Sequence, residues 1–394
     1  MFVCHVRQFH FIPQKRPSSE HGTNDYTEAV LPQPHPEIDW SAFLARPRLP
    51  SLSADNLGHI SESSILITGA GGSIGSALAQ RLAAHKPQRL VLLDSSEQAL
   101  YRLDAALKSR NIYPILGNIA DTALIAELLE EHHPYILLHA AAHKHVALLE
   151  DHPLAAIANN AIATHTLAKL ARQHNVPQFI LLSTDKAAAP TSILGASKRI
   201  AELTTMAHGG TVLRLCNVLG TEGSVVETFL RQIANHEPLS MSDPAATRYF
   251  LTIGEAVNLL IGLLIETSVT ARQGTLFIPR IDNPHSITEL ANFLASGPAQ
   301  YRETGLRPGE KLHEILWSPE ETPTQSPIPG CLQLQSPTPS ITQLMHSLQT
   351  LQAATEARNL PQALTAIHAL VPGYTPSGRV LHLAHNSSHG AFQA

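Results

Sequence analysis

Ile65-Leu66-Ile67-Thr68-Gly69-Ala70-Gly71-Gly72-Ser73-Ile74-Gly75-Ser76-Ala77-Leu78-Ala79-Gln80-Arg81-Leu82 reads as an apolar strand, a glycine turn and a helix. An apolar run of this length, Ile65 to Thr68, predicts a strand covered on both faces, as in parallel sheets. Gly69 permits a tight turn, Gly72 removes a side chain where a pyrophosphate must approach, and Gly75 lets helix and strand pack closely. Ser73 and Ile74 open the helix, whose positive N-terminus would face the phosphates.

Working outward, the next strand ends at Asp94, whose carboxylate would accept from a ribose 2′-hydroxyl and repel a 2′-phosphate, so NAD is preferred over NADP. After the third strand, Gly117-Asn118-Ile119 places Asn118 and Ile119 where an adenine would lie. After the fourth, Ala140 and Ala141 leave room for the nicotinamide ribose against the backbone. Asn160, in the following helix, is equally readable as a site residue or as a satisfied helix asparagine.

Short apolar runs at Ile65–Thr68, Arg89–Asp94, Tyr113–Leu116, Ile136–His139, Gln178–Ser183 and Thr211–Cys216 alternate with amphipathic stretches. That alternation predicts an α/β chain with a Rossmann-type doubly wound parallel sheet and a smaller C-terminal substrate-binding lobe. The expected divisions are an irregular, proline-bearing arm (1–60), a dinucleotide-binding domain (61–217), a substrate lobe (218–330) and a helical extension (331–394). In the extension, Ser340 with Gln343 predicts a capping box, a second helix runs to Leu370, and the chain from Thr375 reads as a loose tail.

With 43% apolar residues, the chain has enough to bury a core. A formal charge of −5 without a dense basic block argues against nucleic acid as a partner. Three cysteines, far apart, give neither a disulfide framework nor a zinc pattern and fit a reducing cytoplasm. The 23 histidines are scattered and predict no metal site. Ala256 to Ile265 falls short of the roughly 18 residues of a membrane span and reads as a buried helix.

Ser183-Thr184-Asp185-Lys186-Ala187, followed by Lys198, brings a hydroxyl, a carboxylate and two amines to the end of an apolar strand. Such groups beside a cofactor are acid–base machinery.

Together with Ala141-Ala142-His143-Lys144-His145-Val146, Asn217-Val218-Leu219-Gly220, Gly223-Ser224-Val225-Val226, Thr247-Arg248-Tyr249-Phe250 and Leu306-Arg307-Pro308-Gly309-Glu310-Lys311, this stretch resembles the extended short-chain dehydrogenase/reductases. Within them it is similar to the nucleotide-sugar dehydratases that act on UDP-N-acetylglucosamine in bacterial polysaccharide and glycan synthesis. The resemblance covers about residues 40 to 375. It implies NAD-dependent 4,6-dehydration of a UDP-N-acetylhexosamine, with the cofactor recycled, in a cytoplasmic homo-oligomer. Many such proteins carry an N-terminal membrane region, so this chain is expected to be a short form without one.

The resemblance implies roles for the residues present. Lys186 is the base at C5, Asp185 the acid at the C6 oxygen, Thr184 a partner of the C4 hydroxyl and Lys198 the holder of the nicotinamide ribose. Lys144, Asn217, Val225, Arg248, Arg307 and Glu310 are expected to bind the UDP-sugar. Leu194 departs from the pattern: most of the wider family has a tyrosine there, which deprotonates the hydroxyl being oxidised, and leucine cannot do this. Asp185, or a water held by Thr184, is the available substitute. Rival expectations are a 4-epimerase and a non-catalytic NAD- or UDP-sugar-binding protein.

Overall fold

The computed structural model describes residues 38–50, 58–266 and 274–389. Seven parallel strands, β1 (Ser64–Thr68), β2 (Arg89–Asp94), β3 (Ile112–Leu116), β4 (Ile136–His139), β5 (Gln178–Thr184), β6 (Thr211–Leu215) and β7 (Thr275–Pro279), lie in the order 3-2-1-4-5-6-7. Two further strands, β8 (Thr322–Gln325) and β9 (Cys331–Gln335), extend the β7 edge in the order 7-9-8, with β9 antiparallel to both neighbours. Strand order reverses between β1 and β4, so the crevice at their carboxyl ends is where a ligand of such a sheet binds.

The apolar runs become central strands because both faces are covered. Every residue of β1 is buried, as are Leu90 to Leu93 of β2. The helix Ile253–Glu266, which contains the apolar run noted above, packs in the same core as β1 and β6. The sheet also draws on stretches assigned elsewhere from sequence: β7 and β8 come from the expected lobe and β9 from the expected extension.

A second core gathers Phe229, Leu239, Met241, Phe250 and Leu290 of the lobe. Part of the arm joins it. Trp40–Leu44 forms a short helix capped by Asp39, with Phe43 against Phe250 and His285, and Arg46 pairs with buried Glu255 at 2.6 Å. Residues 1–37 and 51–57 of the arm lie outside the described residues.

The helices Ile341–Glu356, which carries the expected capping box, and Leu360–Leu370 pack on the helix Ile193–Ala207. The expected loose tail is instead a helix, Gly378–His389, with Val380 fully buried. Ser377 donates to Glu150 and Arg379 to Asp151, so distant acidic partners order a segment that carries little pattern of its own. No helix among the described residues is long and apolar enough to cross a membrane.

Candidate active site

Gly69, Gly72, Asp94, Asn118, Ile119, Ala140 and Ala141, all expected cofactor residues, line one cavity at the β1/β4 switch point, with Leu93, Ser95, Gly117, Ala142, His143 and Asn159. Gly69 has φ +67°, and a Cβ there would lie 2.5 Å from Ala141 N. At Gly75 a Cβ would lie 2.1 Å from Gly69 O, so only glycine lets the helix Ser73–Ala83 sit this close to the turn. Gly72 differs: a Cβ there meets only Gly69 O, at 3.4 Å, so the protein itself leaves that space free. Gly72 also begins the helix without a side-chain cap, leaving first-turn amides for an anion.

Asp94 accepts from Gly71 N and Ser96 N, both at 2.8 Å, so the carboxylate ties the glycine turn to the next helix. Asn118 accepts from Ala120 N at 2.9 Å. A clear space at a helix start, a carboxylate at the second strand end and small residues after the fourth together fit a dinucleotide.

His139 and Asn160 are both held by protein partners. His139 is buried between Thr68 and Thr164, at 2.7 and 2.9 Å, and burial drops its pKa to about 3. Asn160 accepts from His143 N and donates to His143 O, pinning the loop, while its neighbour Asn159 faces the cavity.

The reactive groups stand where β5 ends in the single turn Asp185–Ala187. Thr184 Oγ1 donates to Asp185 Oδ1 at 3.0 Å, and Lys186 Nζ donates to the same oxygen at 3.0 Å and to Asn217 Oδ1 at 3.0 Å. Asp185 is fully buried, and its second oxygen, Oδ2, has no hydrogen-bond partner. Burial works against the Lys186 charge, but Asp185 and then Glu314 outweigh it, and the pKa is raised. The lysine therefore rests as an ammonium beside a carboxylate.

Lys198 Nζ donates to Leu182 O at 2.6 Å, and burial brings its pKa down to about 8 despite nearby Glu202. Leu194 is buried in the apolar cluster that includes Leu149, Ile193, Leu344 and Leu348. Cys216 is likewise buried, with its thiol pKa raised well above the usual value, chiefly by burial, so it is no nucleophile.

The expected substrate residues divide. Asn217 and Arg248 come to the reaction centre: Asn217 through Lys186, and Arg248 by donating to Thr247 O, Leu312 O and Lys311 O beside it. Lys144 donates to Glu222 O, and Glu222 N donates to Ser73 Oγ at 3.0 Å, so the loop before the helix Val225–Ala234 is clasped to the glycine turn. Arg307 and Glu310 instead close a turn on each other, with Arg307 exposed.

Two features escaped the sequence reading. From the lobe, Glu314 comes to Lys186, and Lys311 comes to Glu314. Behind β5, Arg214 is held by Glu202 and Glu321, at 2.7 and 2.8 Å, all three within a few per cent of full burial. Ser183 donates to Glu202 at 2.6 Å, so this ion network backs the strand that carries the reactive turn.

A switch-point groove beside an Asp-Lys pair and a buried lysine, on a largely parallel sheet of this order, makes the chain a Rossmann-type protein. Residues 65–336 match the family described as polysaccharide biosynthesis protein, and the chain belongs to that family. It is 35% identical over 281 residues to the capsular polysaccharide biosynthesis protein CapD of Staphylococcus aureus, covering 67% of this chain and 46% of that protein. It is 29% identical to a Campylobacter jejuni UDP-N-acetylglucosamine 4,6-dehydratase (inverting), covering 66% of this chain and 78% of that one. To a Rickettsia rickettsii UDP-glucose 4-epimerase it is 30% identical, covering 66% and 79%. The chain spans about half the length of the first curated relatives it matches.

Proposed function

We propose that the protein catalyses NAD-dependent 4,6-dehydration of a UDP-N-acetylhexosamine, UDP-N-acetylglucosamine first among them, giving a UDP-4-keto-6-deoxy sugar for glycan assembly. The observation that carries this reading is the Asp185–Lys186 pair, with the free oxygen of Asp185, at the end of β5. A 4-epimerase exchanges one hydrogen at C4 and needs no acid–base pair for C5 and C6. A non-catalytic binding protein needs no buried, unsatisfied carboxylate.

NAD bound in the groove would supply the two-electron chemistry, as hydride acceptor at C4 and hydride donor at C6. Gly72, Ser73 and Ile74 would hold its pyrophosphate, Asp94 and Asn118 its adenosine half, and Ala140, Ala141 and Lys198 its nicotinamide ribose. Lys144, Asn217, Val225 and Arg248 would bind the UDP-sugar, with Arg307 and Glu310 at its outer rim.

Asp185 serves twice in this scheme. Its free carboxylate oxygen takes the O4 proton, which removes the need for a tyrosine at position 194. The acid so formed then delivers that proton to the departing C6 oxygen, and the carboxylate is restored as water leaves. Lys186, once it has given up its own proton, takes the C5 proton and later returns it.

Purified protein incubated with UDP-N-acetylglucosamine in deuterated water, followed by proton NMR, tests the reading. A 6-methyl signal with deuterium at C5 is expected. C4 inversion without a methyl signal would establish the epimerase instead, and no turnover of any UDP-hexose would leave a binding protein.

A further inference from the structure

One carboxylate at the reaction centre has no part in that scheme. Glu314 is 5% exposed, with Oε1 3.6 Å from Lys186 Nζ and Oε2 3.6 Å from Lys311 Nζ. Oε2 is buried without a hydrogen-bond partner. The carboxylate therefore sits between two ammonium groups, one on the reactive turn and one on its own segment. Its segment is fixed in the lobe: Glu314 N donates to Thr247 O at 3.5 Å, Thr247 N to Leu312 O at 3.0 Å and Arg248 to Leu312 O and Lys311 O, while the Lys311 side chain donates to Ala188 O at 2.7 Å.

The dehydratase reading, on which this inference rests, leaves one proton unplaced. Lys186 stands as an ammonium, and an ammonium cannot take the C5 proton. Once Asp185 has accepted the O4 proton, Glu314 is the remaining carboxylate paired with Lys186 among the described residues. We propose that Glu314 is a positioning residue for Lys186 that takes up the lysine's proton during the reaction and so presents it to C5 as a free amine.

The step balances. An N–H bond of the ammonium breaks and an O–H bond forms on Glu314; the freed amine takes the C5 proton, and the C5–H electron pair expels the C6 oxygen, which leaves as water with the proton held by Asp185. After C6 is reduced, Lys186 returns its proton to C5 and recovers the one on Glu314.

The charged and titratable groups facing this pair are Asp185, Arg248, Lys311 and, through Asp185 and Lys186, Cys216 with Arg46 beyond it. Arg248 and Lys311 favour loss of the lysine proton, the carboxylates oppose it, and the Cys216 thiol stays neutral.

Exchange of the C5 hydrogen in the UDP-4-keto-6-deoxy product, in deuterated water, reads this proton transfer without any redox step; the same comparison in an Asp185→Asn background, where position 185 cannot take the lysine's proton, isolates Glu314. The wild type is expected to exchange with little pH dependence around neutrality. Glu314→Gln should exchange about 10²-fold more slowly near pH ~7 and recover most of that as pH rises through the Lys186 pKa, where solvent takes the proton instead. Glu314→Asp, keeping the acid one methylene further back, should lose about tenfold with the wild-type profile shape.

Glu314→Gln exchanging like the wild type, or falling by one factor at every pH, would overturn the proposal. Should Glu314→Gln not fold, Glu314→Asp decides, because wild-type rates at every pH would sink it. A wild type that forms no 6-methyl product and exchanges nothing removes the dehydratase reading, and this inference with it. Turnover with an unaltered Glu314→Gln profile removes only the role of Glu314.

Discussion

The two halves of the site are built in opposite ways. The cofactor groove comes from one run of chain, residues 69–159, with successive strand ends each contributing a wall. The reaction centre collects Asp185 and Lys186 from β5, Asn217 from beyond β6, Arg248 from a short lobe strand and Glu314 from a further loop. Local sterics make the first; long-range charge pairing makes the second. Damage to one half should therefore leave the other readable.

The sharpest break in that comparison is Lys186→Met. It removes the proposed base and should cost 6-methyl formation about 10²–10⁴-fold, while gel-filtered protein keeps the nucleotide content of the wild type. Loss of nucleotide alongside activity would mean that the two halves are one cooperative unit.

Next in size is the network that backs β5. Arg214→Ala leaves Glu202 and Glu321 buried without their main partner and should lower unfolding free energy by about 3–5 kcal/mol, measured by urea denaturation. Glu321 shows the coupling: although burial raises carboxylate pKa values, the Arg214 contacts bring this one down to about 2. If Arg214→Ala shifts the urea midpoint little, the network is not what holds β5.

This division also governs how much could be read from sequence. Six strands and the wall of the groove were legible, because buried strands and glycine turns leave marks within a few residues. Glu314 left none: its meaning depends on Lys186, brought close only by the docking of lobe on sheet. The same holds for the helix Gly378–His389, whose partners Glu150 and Asp151 lie 227 and 228 residues away in the chain. Arg214 left no mark either, since a charge on a central strand reveals nothing of the two carboxylates that meet it.

Two glycines in the groove sharpen the comparison on a smaller scale. Gly75→Ala drives a methyl to 2.1 Å from Gly69 O and should cost about 1–3 kcal/mol of stability as well as nucleotide. Gly72→Ala meets little protein and should leave the melting temperature nearly unchanged while still weakening nucleotide binding. Thermal unfolding with and without added NAD separates the two. Equal melting losses would mean that Gly72 is held by the fold rather than kept clear for a ligand.

The last expected effect lies at Lys198, where the two halves meet. Its folded pKa of about 8 is below the ordinary 10.5, so between those values the unfolded chain binds more protons than the folded one. Stability then rises with pH across that window, because the cost of burying the ammonium, full below about 8, is progressively relieved. In apo protein, Lys198→Met should flatten this contribution, seen as a smaller change in unfolding free energy between pH ~8 and ~10 than in the wild type. The cofactor side should respond oppositely: as the ammonium is lost above about 8, the attraction holding a dinucleotide fades, and nucleotide retention should fall while the apo fold gains. Parallel rather than opposing trends would place Lys198 in the structural framework of β5, through its bond to Leu182 O, and outside the cofactor site.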